Sequence, residues 1–106
     1  MLLVYVTYPR ADTAQRTIKH LLEKKLIACG VAFPVDSQYL WKSKVTKSRE
    51  VVVLLKTRKS LAKRLENDII AHHPYETPCI LRISVKANKA YDAWLKKTVV
   101  TKRARR

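Results

Sequence analysis

The hydrophobic pattern changes period several times along the chain, and each change marks an element. Leu2 to Tyr8 are β-branched, leucine or aromatic and end at Pro9, which predicts a strand. Asp12 offers an N-cap oxygen with Gln15 placed as in a capping box, and Ala14, Ile18, Leu21, Leu22 and Leu26 follow as one stripe at helical spacing. Ala28 to Trp41 reads as a long extended stretch interrupted at Pro34, which cannot donate to a strand ladder. The polar run Lys42 to Ser48 predicts a wide turn. The continuous apolar run Val51 to Leu55 after it predicts a central strand covered on both faces, so the two segments form a hairpin. Thr57 or Ser60 is placed to cap a second helix, with Leu61, Leu65 and Ile69 on its stripe and Ala62 and Ile70 beside them; Pro74 stops it. Cys79 to Lys86 alternates with a period of a strand, and Asn88 then caps a short helix carrying Tyr91, Trp94, Leu95 and Thr98.

The order β-α-β-β-α-β plus a short C-terminal helix is the ferredoxin-like arrangement, an α+β fold with a long central hairpin. A chain of 106 residues has room for one domain, spanning 1–106, with about 99–106 expected as a basic, frayed tail. Two helices cover one face of such a sheet, yet Leu3 and Tyr5 are as apolar as Val4 and Val6, and Val52 and Leu54 as apolar as Val51 and Val53. A monomer would leave a broad apolar surface in water, so the pattern calls for a partner, most simply further copies of the same chain.

Composition narrows the function classes. Lys plus Arg number 23 against 8 Asp plus Glu, a formal charge of +15, and 47% of residues are hydrophobic, enough for a real core. No apolar run approaches the roughly 18 residues of a spanning helix, and the N-terminus lacks the basic start and apolar length of a secretory signal. The two cysteines, Cys29 and Cys79, have no CxxC spacing, which argues against a disulfide scaffold or zinc ribbon and suggests a reducing, cytoplasmic setting. Gly30 is the single glycine, which excludes P-loops and dinucleotide fingerprints. The third strand carries no aromatic base-stacking platform, so an RNA-recognition motif fails, and Pro9 removes an amide that an acylphosphatase-like cradle would need. Dispersed lysines read as a solvated surface or as a non-specific, salt-sensitive polyanion-binding one, with Lys102 to Arg106 as the segment most like an interaction tail.

Five segments carry a resemblance. Ile27-Ala28-Cys29-Gly30-Val31, Ser37-Gln38-Tyr39-Leu40-Trp41, Leu55-Lys56-Thr57, His72-His73-Pro74-Tyr75-Glu76-Thr77-Pro78 and Tyr91-Asp92-Ala93-Trp94-Leu95 stand in the order and spacing of the CutA family, the divalent-cation-tolerance proteins. The chain resembles that family over residues 2 to 98. The resemblance implies a ferredoxin-like homotrimer whose long hairpins extend sheets between subunits, and a non-enzymatic role in the response to metal ions. Family members usually carry glycine at the hairpin tip, where this chain has Ser43, and some place a metal-ligating cysteine where this chain has Val6. The strong basic charge also departs from the family's habit.

The candidate site residues follow from that resemblance. His72 and His73 match histidines that act as copper ligands in some members, and imidazole suits Cu and Zn; both also sit where a helix end favours a hydrogen-bonding or cationic side chain. Any such site, short of the ligands a closed tetrahedral centre needs, would hold Cu(II) or another divalent cation weakly. No cofactor is required. Tyr39, Trp41, Lys56 and Tyr75 are expected around a cleft between subunits, either as interface packing or as the walls of a site for a small anionic ligand. Cys29 reads as a small core residue. Glu76 has no partner carboxylate in its loop, so acid–base catalysis has no support and the chain is read as not an enzyme.

Overall fold

Alternation along the first strand sorts its side chains between two surfaces: Leu2, Val4, Val6 and Tyr8 are buried, while Leu3, Tyr5 and Thr7 are half-buried on the other side. The computed structural model describes residues 1–100. Its elements are β1 (Leu2–Tyr8), α1 (Ala11–Glu23), β2 (Cys29–Trp41), β3 (Lys44–Thr57), α2 (Ala62–His72), β4 (Ile80–Ser84) and α3 (Lys89–Thr98), with a 3-10 turn at Lys59–Leu61 leading into α2. The sheet runs β2-β3-β1-β4 with every neighbouring pair antiparallel, which is the expected ferredoxin-like topology.

One face of this sheet packs against α1 and α2. Val4, Val6, Val53 and Leu55 meet Ala14, Ile18 and Leu21 from α1 and Leu65 and Ile69 from α2 in a single core. A smaller cluster of Ala28, Leu61, Leu95 and Val99 seats α3 against the end of the sheet. The register puts Leu3, Tyr5, Val31, Phe33, Leu54, Leu81 and Ile83 on the opposite face. Four of these, Val31, Phe33, Leu81 and Ile83, remain 40–50% exposed, so the two-sided apolar pattern leaves the uncovered surface it implied.

Several local expectations give way to tertiary packing. The hairpin connection is tight rather than wide: Lys42 and Ser43 alone make the turn, at φ of 50° and 64°, and Lys44 already pairs with Trp41. Two consecutive positive φ values give the turn twist that suits a two-residue hairpin, and the polar run after it is the projecting half of β3. Asp12 lies inside the first turn of α1, where it pairs with Arg10 and Arg16, and Arg10 takes the N-cap position without a side-chain cap. Leu22 is exposed, and Leu26 is buried beyond the helix end through a Schellman closure, with Leu26 N–H donating to the Leu21 carbonyl and Lys25 N–H to that of Leu22. The Thr57 hydroxyl caps nothing; it is buried and donates to the Leu26 carbonyl at 2.7 Å, and Ser60 falls within the 3-10 turn. Asn88 holds the N-cap position of α3 with no side-chain bond. Cys29 lies half-buried opposite Lys56 rather than in the core. Val99 is buried and Val100 N–H donates to the Lys25 carbonyl at 2.9 Å, so the start of the expected tail is docked; its remainder, 101–106, lies outside the described residues.

Candidate functional site

Pro74 ends α2 by forcing the preceding residue out of the helical region, and His73 accordingly adopts φ −80°, ψ 137° while His72 stays on the helix. That single change of backbone sends the two imidazoles apart. His73 turns inward: its Nε2–H donates to the Thr7 carbonyl at 2.8 Å, its Nδ1 accepts from Tyr75 N–H at 3.0 Å, and its ring stacks on Tyr8 at 4.5 Å. Burial pushes the His73 pKa down, against the smaller opposing effects of the Thr7 carbonyl and the Glu50 carboxylate. With both nitrogens engaged, this neutral ring is a clamp between β1 and the His-Pro-Tyr loop. His72 and His73 do not form a ligand pair.

His72 instead faces α1. Its Nδ1 lies 2.9 Å from the Asp68 carbonyl and 3.3 Å from the Asp68 carboxylate, and His20 Nε2 lies 2.9 Å from the same Oδ1. One ligand atom from each of His20, Asp68 and His72 falls within 4.8 Å of the other two. Lys24 holds the second carboxylate oxygen at 3.1 Å. Burial works to raise the Asp68 pKa, but hydrogen bonds from Lys24 and His20 outweigh it and hold the carboxyl below its ordinary value. The cluster borders a hollow of about 210 Å³ whose wall includes the buried Tyr8, its hydroxyl without a hydrogen-bond partner among the described residues. Sequence reading passed over His20 and Asp68 because their pairing spans 48 residues; the Asp68–His72 spacing of one helical turn was the visible signal.

A second, larger cavity of about 420 Å³ opens on the uncovered sheet face. Of the expected cleft residues, Tyr39, Trp41 and Tyr75 line it, whereas Lys56 stands toward the other end of β3 with its ammonium 5.4 Å from the Tyr91 ring. The charged groups that do line it are Glu50 and Glu76. Among the described residues no basic side chain lines it. Tyr75 donates its hydroxyl to Glu50 Oε2 at 2.6 Å, and burial, reinforced by that bond and charge, pushes the Tyr75 pKa up.

This combination of a ferredoxin-like sheet, a long hairpin and a histidine-bearing loop defines a class, and comparison with known proteins gives it a name. Residues 2–98 match the family described as CutA1 divalent ion tolerance protein. The divalent-cation tolerance protein CutA of Pyrococcus horikoshii is 38% identical over 96 residues, covering 90% of this chain and 94% of that one. Its counterpart in Thermotoga maritima is 38% identical over 101 residues, covering 94% and 100%. Among solved structures, CutA1 from Pyrococcus horikoshii superposes with a TM-score of 0.92 at 35% identity, over 95% of this chain and 100% of that one. The periplasmic divalent cation tolerance protein CutA from Archaeoglobus fulgidus gives 0.91 at 35%, over 94% and 100%. The chain belongs to the CutA1 divalent ion tolerance family.

Proposed function

We propose that this protein works without catalysis in the tolerance of divalent metal ions, as a homotrimer, and binds Cu(II) or a related cation weakly through His20, Asp68 and His72. The observation that carries the reading is the convergence of two imidazole nitrogens and one carboxylate oxygen within 4.8 Å, on two helices that share a core. Relatives named for divalent-cation tolerance supply the context. Three ligands of this kind favour Cu(II) over Zn(II) by the usual order for nitrogen donors and leave positions for water. Lys24 opposes the ion twice, by occupying Asp68 and by its charge, and a chain at +15 repels any divalent cation. The affinity is therefore modest, and it falls on acidification because metal and protons compete for the same imidazoles. The unpaired Cys29 and Cys79 suit a reducing compartment such as the cytoplasm.

Calorimetric titration of chelator-treated protein with Cu(II) tests this. His20→Ala and His72→Ala should each weaken binding, while Lys24→Met should tighten it by releasing the carboxylate. Equal affinity in the native protein and the His20→Ala, His72→Ala double variant would remove the cluster from consideration.

A further inference from the structure

The hollow beside the histidine cluster has a wall that the cation site leaves unused. Tyr8, on that wall, is 1% exposed, yet its hydroxyl has no hydrogen-bond partner among the described residues. A buried hydroxyl left unpaired is costly, so such a group asks for something to meet it. Thr17 on the same wall does not serve, because its own hydroxyl donates to the Thr13 carbonyl at 3.0 Å. Arg16 borders the space as well, largely in water. Among the described residues its one carboxylate partner, Asp12, stands 3.7 Å away. The remaining rim includes His20, Asp68 and His72. Metal-ligand atoms and oxyanion donors therefore share one space of about 210 Å³. Charge gives a second reason to fill it. Lys24 sits on Asp68 and the chain carries +15, so a cation entering alone meets repulsion that a bound anion would cancel.

We propose that this site takes its divalent cation together with a small oxyanion of the phosphate or carbonate class. One oxygen replaces water on the metal, and the others accept from the Arg16 guanidinium and the Tyr8 hydroxyl. The inference rests on the cation site proposed above and adds a second ligand to it. A guanidinium presents a planar fork of donors that matches two oxygens of such an anion, and its charge strengthens both bonds. The hollow lies on the helix side of the sheet, where Tyr8 and Ile69 belong to the core under α1 and α2, so it does not depend on how copies meet across the open face.

The test uses the full chain loaded with one equivalent of Cu(II), in a non-coordinating buffer with perchlorate as the salt. Inorganic phosphate and bicarbonate are titrated in separate arms while the visible Cu(II) absorption is followed. That band responds to oxygens on the metal and ignores anions held by surface lysines. Each anion should shift it saturably, with copper retained by the protein on a spin filter, and the tighter of the two names the class. Arg16→Gln should weaken the anion by about tenfold without weakening anion-free Cu(II) binding. Tyr8→Phe should weaken the anion several-fold and leave the urea midpoint of the metal-free protein unchanged or higher, since it removes an unpaired hydroxyl. A band that neither anion moves, copper stripped by the anion, or anion affinity unchanged in both variants would overturn the inference and leave the cation site standing. No Cu(II) band in the native protein, or one that survives the His20→Ala, His72→Ala double substitution, would remove the cation site and this inference with it.

Discussion

Ser43 occupies the second turn position of the β2–β3 hairpin at φ 64°, in the left-handed region where a Cβ crowds the following carbonyl. Glycine adopts that conformation without strain, although it loses more freedom on folding, so Ser43→Gly should raise stability by about 0.5–1 kcal/mol. Urea unfolding at fixed protein concentration checks the sign; a loss of stability would mean that the serine side chain contributes something the geometry does not show. His73 gives a second prediction at this scale. Its folded pKa lies below the ordinary value of 6.5, chiefly through burial, so the unfolded chain binds more protons between those two values. The stability it contributes is complete above about 6.5 and is lost as pH falls through the folded value. The groups facing it are Thr7 and Tyr8 of β1, Tyr75 of the loop and the Glu50 carboxylate, and of these Tyr8 and Tyr75 have pKa values pushed further above neutrality. In chelated solution, the urea midpoint of the native protein should therefore drop on acidification from pH 7 to 5, and that of His73→Gln should drop less. Parallel slopes for the two proteins would assign the pH dependence to other groups.

Packing between elements turns on the chain's one glycine. A Cβ added at Gly30 in β2 would lie 2.9 Å from Ile18 Cγ2 and 3.0 Å from Ile18 Cγ1, both at the branched root of a buried helical side chain. That root cannot swing away as a flexible tip could, so α1 itself would have to lift from the sheet. Gly30→Ala should destabilise by roughly 1–3 kcal/mol, the usual result of overpacking a core, and it should cost less in an Ile18→Ala background, where both contacting Cγ atoms are gone. An additive double variant would show that helix and strand do not meet there as tightly as the distances say. The strands and the helix stripes were readable because burial imposes a strict period on the chain: Val4 and Val6 in β1, or Leu61, Leu65 and Ile69 beside and along α2, face the same core. The hairpin turn was not readable, because Lys42-Ser43 carries none of the Asn or Gly that normally marks positive φ. The polar half of β3 likewise hid a strand, since a ribbon projecting into solvent needs no apolar alternation. Sites joined across elements were the hardest. His72 and His73 look like a pair in sequence and are separated by one backbone change at a helix end, while His20 and Asp68 become neighbours only when α1 and α2 pack side by side.

Charge and shape act on the molecule as a whole. At +15 the protein should retain anionic polymers such as heparin at low salt and release them steeply as salt rises, without sequence preference, because dispersed lysines offer phosphate or sulfate contacts alone. Retention that persists at high salt would point to a built nucleic-acid site. Assembly rests on a different feature. The molecule extends 45 Å along its longest axis against 23 Å along its shortest, and the hairpin end carries Leu40 and Val45 at 73% and 70% exposure. The open sheet face carries Phe33, Leu81 and Ile83, while the register turns Leu40 and Val45 to the opposite side of the hairpin, and so much exposed apolar area is more than a soluble monomer leaves in water. The trimer proposed above would cover such area if each copy lends and receives a hairpin, because a closed ring leaves no copy unpartnered. Sedimentation equilibrium should therefore give three times the 12.3 kDa chain mass at micromolar concentration. Leu81→Glu would bring a charge into that contact while leaving the core on the other face untouched, and it should shift the protein toward monomer without loss of helical signal. Burying one leucine at such a contact is worth about 1.5–3 kcal/mol, and an unpaired carboxylate there costs more, so one substitution per chain is felt three times around the ring. A native protein that sediments as a monomer, or a Leu81→Glu variant that stays trimeric, would show that the open face is covered by something other than copies of itself.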